Sequence, residues 1–250
     1  MVSAEKVKEQ YLSDKHFHYH ESQFKEPKRS TIALCNFVSK ILSAKKESYK
    51  AVDICCGGGG NIYHLSKALP GSTWVGVDFA DKFFSIARKH LPDETKYKFT
   101  KGDLYKLKEA FPAKSFDIAF LIQTATWLPG YESAVKKIMG IAKKWIFITS
   151  LFSDFKVDVF AEVVEYKDDW SAMEDSPYNY NIYSLGKFKE FCLRNGAKEV
   201  IAEDFNIDID LPIPENKVMG TYTIKSGDGT RLQFSGAMFM PWKMIAVRLE

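Results

Sequence analysis

No apolar run in this sequence approaches the roughly 20 residues that span a bilayer, and the opening segment MVSAEKVKEQYLS is charged where a secretory leader needs an apolar stretch. These absences predict a cytoplasmic protein without a membrane partner. Cysteine is scarce: Cys35, Cys55, Cys56 and Cys192 show no paired metal-ligand spacing, and the adjacent pair falls at the end of an apolar run. Neither a disulfide framework nor a metal site is expected. A tract of one charge sign is also missing, because the lysines are scattered and the formal net charge is only +3. No nucleic-acid partner is expected from that balance. Internal repeats and low-complexity segments are absent as well. What is present is enough apolar residue, 46% of 250 positions, to bury one substantial core with a small appended lobe.

From about residue 50 to 150, apolar periodicity alternates between two and 3.6, so strands alternate with helices. The pattern predicts strands at 51–55, 73–79, 97–100, 116–122 and 145–149. Helices are expected near 61–69, from a cap at Asp81 through His90, and over Val135, Ile138, Met139 and Ala142. The runs FDIAFLI and WIFIT are continuously apolar, as strands covered on both faces must be. This describes an α/β fold, a doubly wound and mostly parallel Rossmann-like sheet, which receives its ligands at the carboxyl ends of the strands. Beyond Ser150 one clean period is lost until Ser184, which should cap a helix stopped by Asn195 and Gly196; strands at 197–205 and 243–249 follow. One domain is expected: an N-terminal helical arm or lid at 1–50, a core at 51–150, an inserted lid at 151–183, and a C-terminal part at 184–250 with a hairpin at 221–234.

The segment AVDICCGGGGN, from Ala51 to Asn61, joins a buried strand to a helix through four consecutive glycines. Lacking Cβ atoms, they let backbone lie against a nucleoside. A dinucleotide fingerprint G-x-G-x-x-G started at Gly57 and Gly59 would place its third glycine at Ile62, and so fails. The run instead resembles the first motif of class I S-adenosylmethionine-dependent methyltransferases, with Asp53, Gly57 and Gly59 in register and Cys55 where that family usually has its first glycine. The resemblance implies S-adenosyl-L-methionine as cofactor. It also implies that Asp78, followed by Phe79, accepts ribose hydroxyls and that Asp103, between Gly102 and Leu104, meets the adenine amine. Gln123 and Thr124 would line the floor below the sulfonium, and Arg29 would grip the methionine carboxylate, a solvated charge beside Lys28 being the alternative for that arginine. Asp53 has two readings, direct contact with the cofactor or acceptance of backbone N–H bonds that hold the glycine loop.

Methyl transfer is an in-line displacement, so the protein chiefly aligns the nucleophile. Candidate bases lie in the arm, where His16, His18 and His20 alternate with Phe17 and Tyr19; His18, Tyr19 and His20 are taken as the catalytic candidates, exposure on an amphipathic segment being the alternative. Trp127 and Tyr178 are candidate walls for the acceptor, packing against the insertion being the alternative. After the fourth strand stand Gln123, Thr124, Ala125 and Thr126 rather than Asn/Asp-Pro-Pro-aromatic, which disfavours amino methylation of a nucleic-acid base. The expected activity is metal-independent methyl transfer to an oxygen, less readily a nitrogen, of a small polar or sugar-like acceptor. An NAD(P)-dependent oxidoreductase and a non-catalytic S-adenosylmethionine-binding protein are the alternatives.

Overall fold

The structure is a computed structural model that describes residues 2–3, 5–6, 16–42, 48–173, 176–215 and 218–250. The side chain of His16 lies outside what is described. Strand β1 (Lys50–Ile54) is buried at every position after Lys50 and pairs in parallel with β2 (Thr73–Asp78) on one side and β4 (Phe116–Ile122) on the other. With β3 (Tyr97–Lys101), β5 (Ala142–Ser153), β9 (Glu199–Asp204) and β13 (Trp242–Arg248), the sheet runs β3-β2-β1-β4-β5-β13-β9. The first five strands of that order are parallel, and β13 enters antiparallel to both β5 and β9. Because the chain winds outward from β1 to β3 and then returns to β4, the tips of β1 and β4 flank the switch point where such sheets bind ligands.

Helices cover both faces. On one, α2 (Arg29–Leu42) buries Leu34, Phe37, Val38 and Leu42, while α3 (Gly60–Ala68) buries Ile62 and Leu65. There Trp74, Phe120 and Phe147 stack across three strands, with ring centroids 5.5 and 5.4 Å apart. Fully burying each such ring contributes about 1.5–3 kcal/mol. The other face carries α5 (Glu132–Ile141) and α6 (Leu185–Arg194), whose Val135, Ile138 and Phe188 are inaccessible. Between them in chain order, α4 (Phe84–His90) follows β2; α1 (His16–Lys25) precedes them all.

Several expected boundaries shift for local reasons. Asp81 does not cap a helix: a short 3-10 turn over Asp81–Phe83 intervenes, its N-cap is Ala80 without a side-chain bond, and Asp81 faces Lys101 at 3.3 Å. Ala142 leaves its helix in extended backbone and opens β5, which pairs with Phe116. The polar Lys143 and Lys144 had hidden that start. The segment after β5 forms short pieces, β6 (Glu162–Val163) with β7 (Tyr178–Asn179), and β8 (Tyr183–Ser184), which pairs with β5. The C-terminal hairpin gains a third strand: β10 (Thr221–Lys225), β11 (Arg231–Ser235) and β12 (Met238–Phe239). No described helix is long and apolar enough to cross a membrane.

Candidate functional site

The glycine loop leaves β1 through Cys55, whose φ of 62° is left-handed, and turns at Gly57 and Gly59, with φ of 51° and 82°. Backbone of this kind strongly favours residues without a Cβ. Asp78 holds the turn. Gly57 N–H donates to Asp78 Oδ2 at 2.8 Å, and Ala80 N–H donates to Asp78 Oδ1 at 2.9 Å. The residue that clamps the loop is therefore the one ending β2, and the alternative in which Asp53 does so is not realised.

Asp53 is 1% exposed, and among the described residues neither of its carboxylate oxygens has a hydrogen-bond partner. Burial, and then the negative charge of Asp78, push its carboxyl well above the ordinary range. Asp78 is also raised by burial, but N–H donors of Ala80, Gly57 and Phe79 oppose that shift. The asymmetry decides which acid holds a proton: Asp53, with no donor to favour its charge, is the one that stays neutral.

Over the loop lies α1. Its His20 is 6% exposed and accepts from Gly58 N–H through Nδ1 at 3.3 Å. A Cβ added at Gly57 would stand 2.4 Å from His20 Cε1, and one at Gly60 would meet Gln23 at 2.9 Å. The glycines thus give room to the chain's own helix. That helix is fastened on three sides: His20 packs on Phe83 with centroids 4.4 Å apart, His64 donates to the Gln23 carbonyl at 2.8 Å, and Glu21 meets Lys89 at 2.6 Å and His90 at 3.0 Å.

At the tip of β4, Gln123 takes a left-handed φ of 55°, and its N–H reaches Thr149 O at 2.9 Å. Its amide donates to Ser30 Oγ at 3.0 Å and accepts from Lys28 Nζ at 3.4 Å; Lys28 also donates to the Tyr19 hydroxyl. Thr124 turns inward to its own backbone, donating to Ile122 O at 3.1 Å.

Other expected residues are dispersed. Of the arm candidates, His20 is buried on the loop whereas His18 is exposed and Tyr19 is 42% exposed. Arg29 is exposed and pairs with Asp208 at 3.3 Å. Leu104 is buried and belongs to the same apolar cluster as Val52 and Leu121. Asp103 accepts from Tyr105 N–H at 2.9 Å and caps the turn after β3, and Gly102 N–H donates to Asp78 O at 2.9 Å. Phe79 is half-buried against the α2 face. Trp127 packs between Tyr178, tilted, and Tyr180, edge-on, with centroids 5.0 and 5.2 Å away. Tyr178 is buried and donates to Glu165 at 2.6 Å, so packing describes it in this structure. Lys28, Ser30 and Gln23 escaped sequence reasoning, since nothing local marks residues whose partners lie far along the chain.

A sheet of this order, with a glycine loop at the tip of β1 clamped by the acid that ends β2, defines the class I S-adenosylmethionine-dependent methyltransferase fold. Residues 51–144 match the family described as methyltransferase domain. Among relatives, the ubiquinone biosynthesis O-methyltransferase of Bordetella parapertussis is 29% identical over 117 residues, 46% of this chain and 47% of that protein. The demethylmenaquinone methyltransferase of Staphylococcus aureus is 23% identical over 161 residues, 57% of this chain and 66% of its own length. The chain thus spans about half of the first and under two thirds of the second. A Burkholderia thailandensis 1,6-didemethyltoxoflavin-N1-methyltransferase, solved with 1,6-didemethyltoxoflavin and S-adenosylhomocysteine, shares the fold at a TM-score of 0.57 and 10% identity, over 100% of this chain and 91% of that one.

Proposed function

We propose that this chain binds S-adenosyl-L-methionine at the tips of β1 to β4 and transfers its methyl group to an oxygen of a small polar acceptor. The observation that carries the reading is the clamped glycine loop beside Asp53, a buried carboxyl group with no hydrogen-bond partner among the described residues. Such a group is costly unless a ligand completes it, and an ammonium is the complement of a carboxylate. Asp53 is accordingly assigned to the amine end of the cofactor, Asp78 to the ribose through its remaining acceptor capacity, and Asp103 to the base. The name of the Bordetella relative supports oxygen as the acceptor atom.

When bound, the cofactor supplies a methyl group activated on a sulfonium. The chain's own residues then have to align the acceptor and exclude water, and alignment of this kind lowers barriers by about 7–11 kcal/mol. Helix α1 covers the loop and brings His20 and Tyr19 to the same side of the sheet, where the His20 imidazole, once its Nδ1 leaves the Gly58 amide, is suited to receive a hydroxyl proton. Nothing in this route calls for a metal.

Isothermal titration with S-adenosylhomocysteine tests the reading directly. Saturable binding is expected, and absence of heat up to millimolar ligand would overturn it. Transfer of label from S-adenosylmethionine across a panel of hydroxylated acceptors then separates an enzyme from a binding protein.

A further inference from the structure

Among the described residues, a half-buried cation stands at the β4 tip without a counter-charge. Lys28 lies in the link between α1 and α2, with its Nζ 3.4 Å from Gln123 Oε1, in hydrogen-bond contact with Tyr19 Oη, and 4.4 Å from the centroid of the Tyr19 ring. All three contacts are to neutral groups. Among the described residues no carboxylate lies within ion-pair distance of it, although its neighbour Arg29 has Asp208 and, elsewhere along α1, Lys89 has Glu21. An ammonium that has lost part of its hydration and gained no opposite charge is poorly compensated.

The surrounding groups are held in place. Gln123 sits in a backbone region unfavourable for a residue with a Cβ, fixed there by N–H bonds to Thr149 O at 2.9 Å and Thr149 Oγ1 at 3.0 Å. Strain retained at a strand tip is characteristic of positions that present a side chain to a ligand. The Gln123 amide is in turn oriented between two partners, donating to Ser30 Oγ and accepting from Lys28. Cation, phenol and hydroxyl therefore converge on the edge of the sheet where this fold receives ligands.

We propose that Lys28, with the hydroxyls of Tyr19 and Ser30, forms an oxyanion subsite at the tip of β4 that takes a carboxylate or phenolate oxygen. That oxygen belongs either to the acceptor or to the carboxylate of the cofactor; the ligand's identity rests on the methyltransferase reading, whereas the unneutralised cation does not.

The test compares wild type with Lys28→Gln, which keeps hydrogen-bonding reach and loses the charge, and with Lys28→Arg, which keeps the charge. Each is titrated with S-adenosylhomocysteine, and then, once saturated, with 3,4-dihydroxybenzoate and its uncharged analogue 3,4-dihydroxybenzamide. A charge-assisted hydrogen bond corresponds to a loss of about tenfold or more in Lys28→Gln, largely restored in Lys28→Arg, with thermal midpoints unchanged. Loss confined to S-adenosylhomocysteine assigns the subsite to the cofactor's carboxylate. Loss confined to dihydroxybenzoate, with the amide unaffected, assigns it to the acceptor. Unchanged affinity for both anions overturns the proposal. Should wild type bind no S-adenosylhomocysteine, the methyltransferase reading fails separately; the subsite is then judged by whether acetate slows reductive methylation of Lys28, mapped by peptide mass spectrometry, and no protection overturns it.

Discussion

Replacing Asp53 by asparagine should make the protein more stable and a worse binder at once. The side chain is 1% exposed, has no donor on either oxygen, and stands near the buried charge of Asp78. Its folded carboxyl is raised, so below about pH 3.9, where the unfolded chain is protonated too, it imposes no penalty. Above that point the unfolded state releases a proton that the folded state retains. Stability then falls by about 1.4 kcal/mol for each pH unit until the folded group itself ionises. An asparagine side chain there cannot titrate, so it carries none of this pH-dependent penalty. Urea unfolding of both proteins between pH 4 and 8 should therefore give curves that meet near pH 4 and diverge upward, with Asp53→Asn the more stable. Each kcal/mol of difference corresponds to about 2–4 °C in Tm for a chain of this size. In the same variant, affinity for S-adenosylhomocysteine should drop, and proton release on binding, read from titrations in buffers of different ionisation enthalpy, should diminish. Parallel stability profiles for the two proteins, or an undiminished affinity, would refute the assignment of Asp53 as the strained acid that the ligand relieves.

Asp78→Ala removes the acceptor of both the Gly57 and Ala80 amides, so a loss of about 1–3 kcal/mol in unfolding free energy is expected together with at least about tenfold weaker S-adenosylhomocysteine binding; chemical denaturation and calorimetry check the pair. Gly57→Ala should be destabilising for two separable reasons, a φ of 51° and a Cβ 2.4 Å from His20 Cε1. Adding His20→Ala to it should recover the steric part and leave the backbone part of about 1 kcal/mol; melting points that add without coupling would show that α1 is not seated on the loop. Glu21→Gln should loosen α1 by weakening its ion pair to Lys89 and its hydrogen bond with His90, which faster proteolysis within 16–25 and an unchanged global Tm would register.

The parallel core was legible because its signals are local. Short apolar runs, the glycines after β1 and the acid that ends β2 each carry their meaning within a few residues, and the continuous run at 116–122 is β4 itself. The start of β5 was hidden by Lys143 and Lys144, which interrupt an apolar run without interrupting the pairing to β4. The site was legible in its residues more than in their roles. Asp53 and Asp78 were both picked out, but which one would hold the loop depends on the register between β1 and β2. The contacts of the arm were beyond reach for a different reason. His20 meets Gly58 across 38 positions and Lys28 meets Gln123 across 95, and a histidine-rich or lysine-bearing segment carries no mark of the distant strand tip it will cover.

The seating of α1 changes what a binding constant for this protein means. A ligand arriving at the Gly58 amide finds an imidazole already there, so it must displace a part of the chain rather than loosely held water. Observed affinity then reflects the intrinsic contact scaled by the fraction of molecules whose helix has lifted away. Changes at Phe83, His64 or Lys89, none of which touches the loop amides directly, will move that fraction, and with it the apparent strength of a site they do not enter.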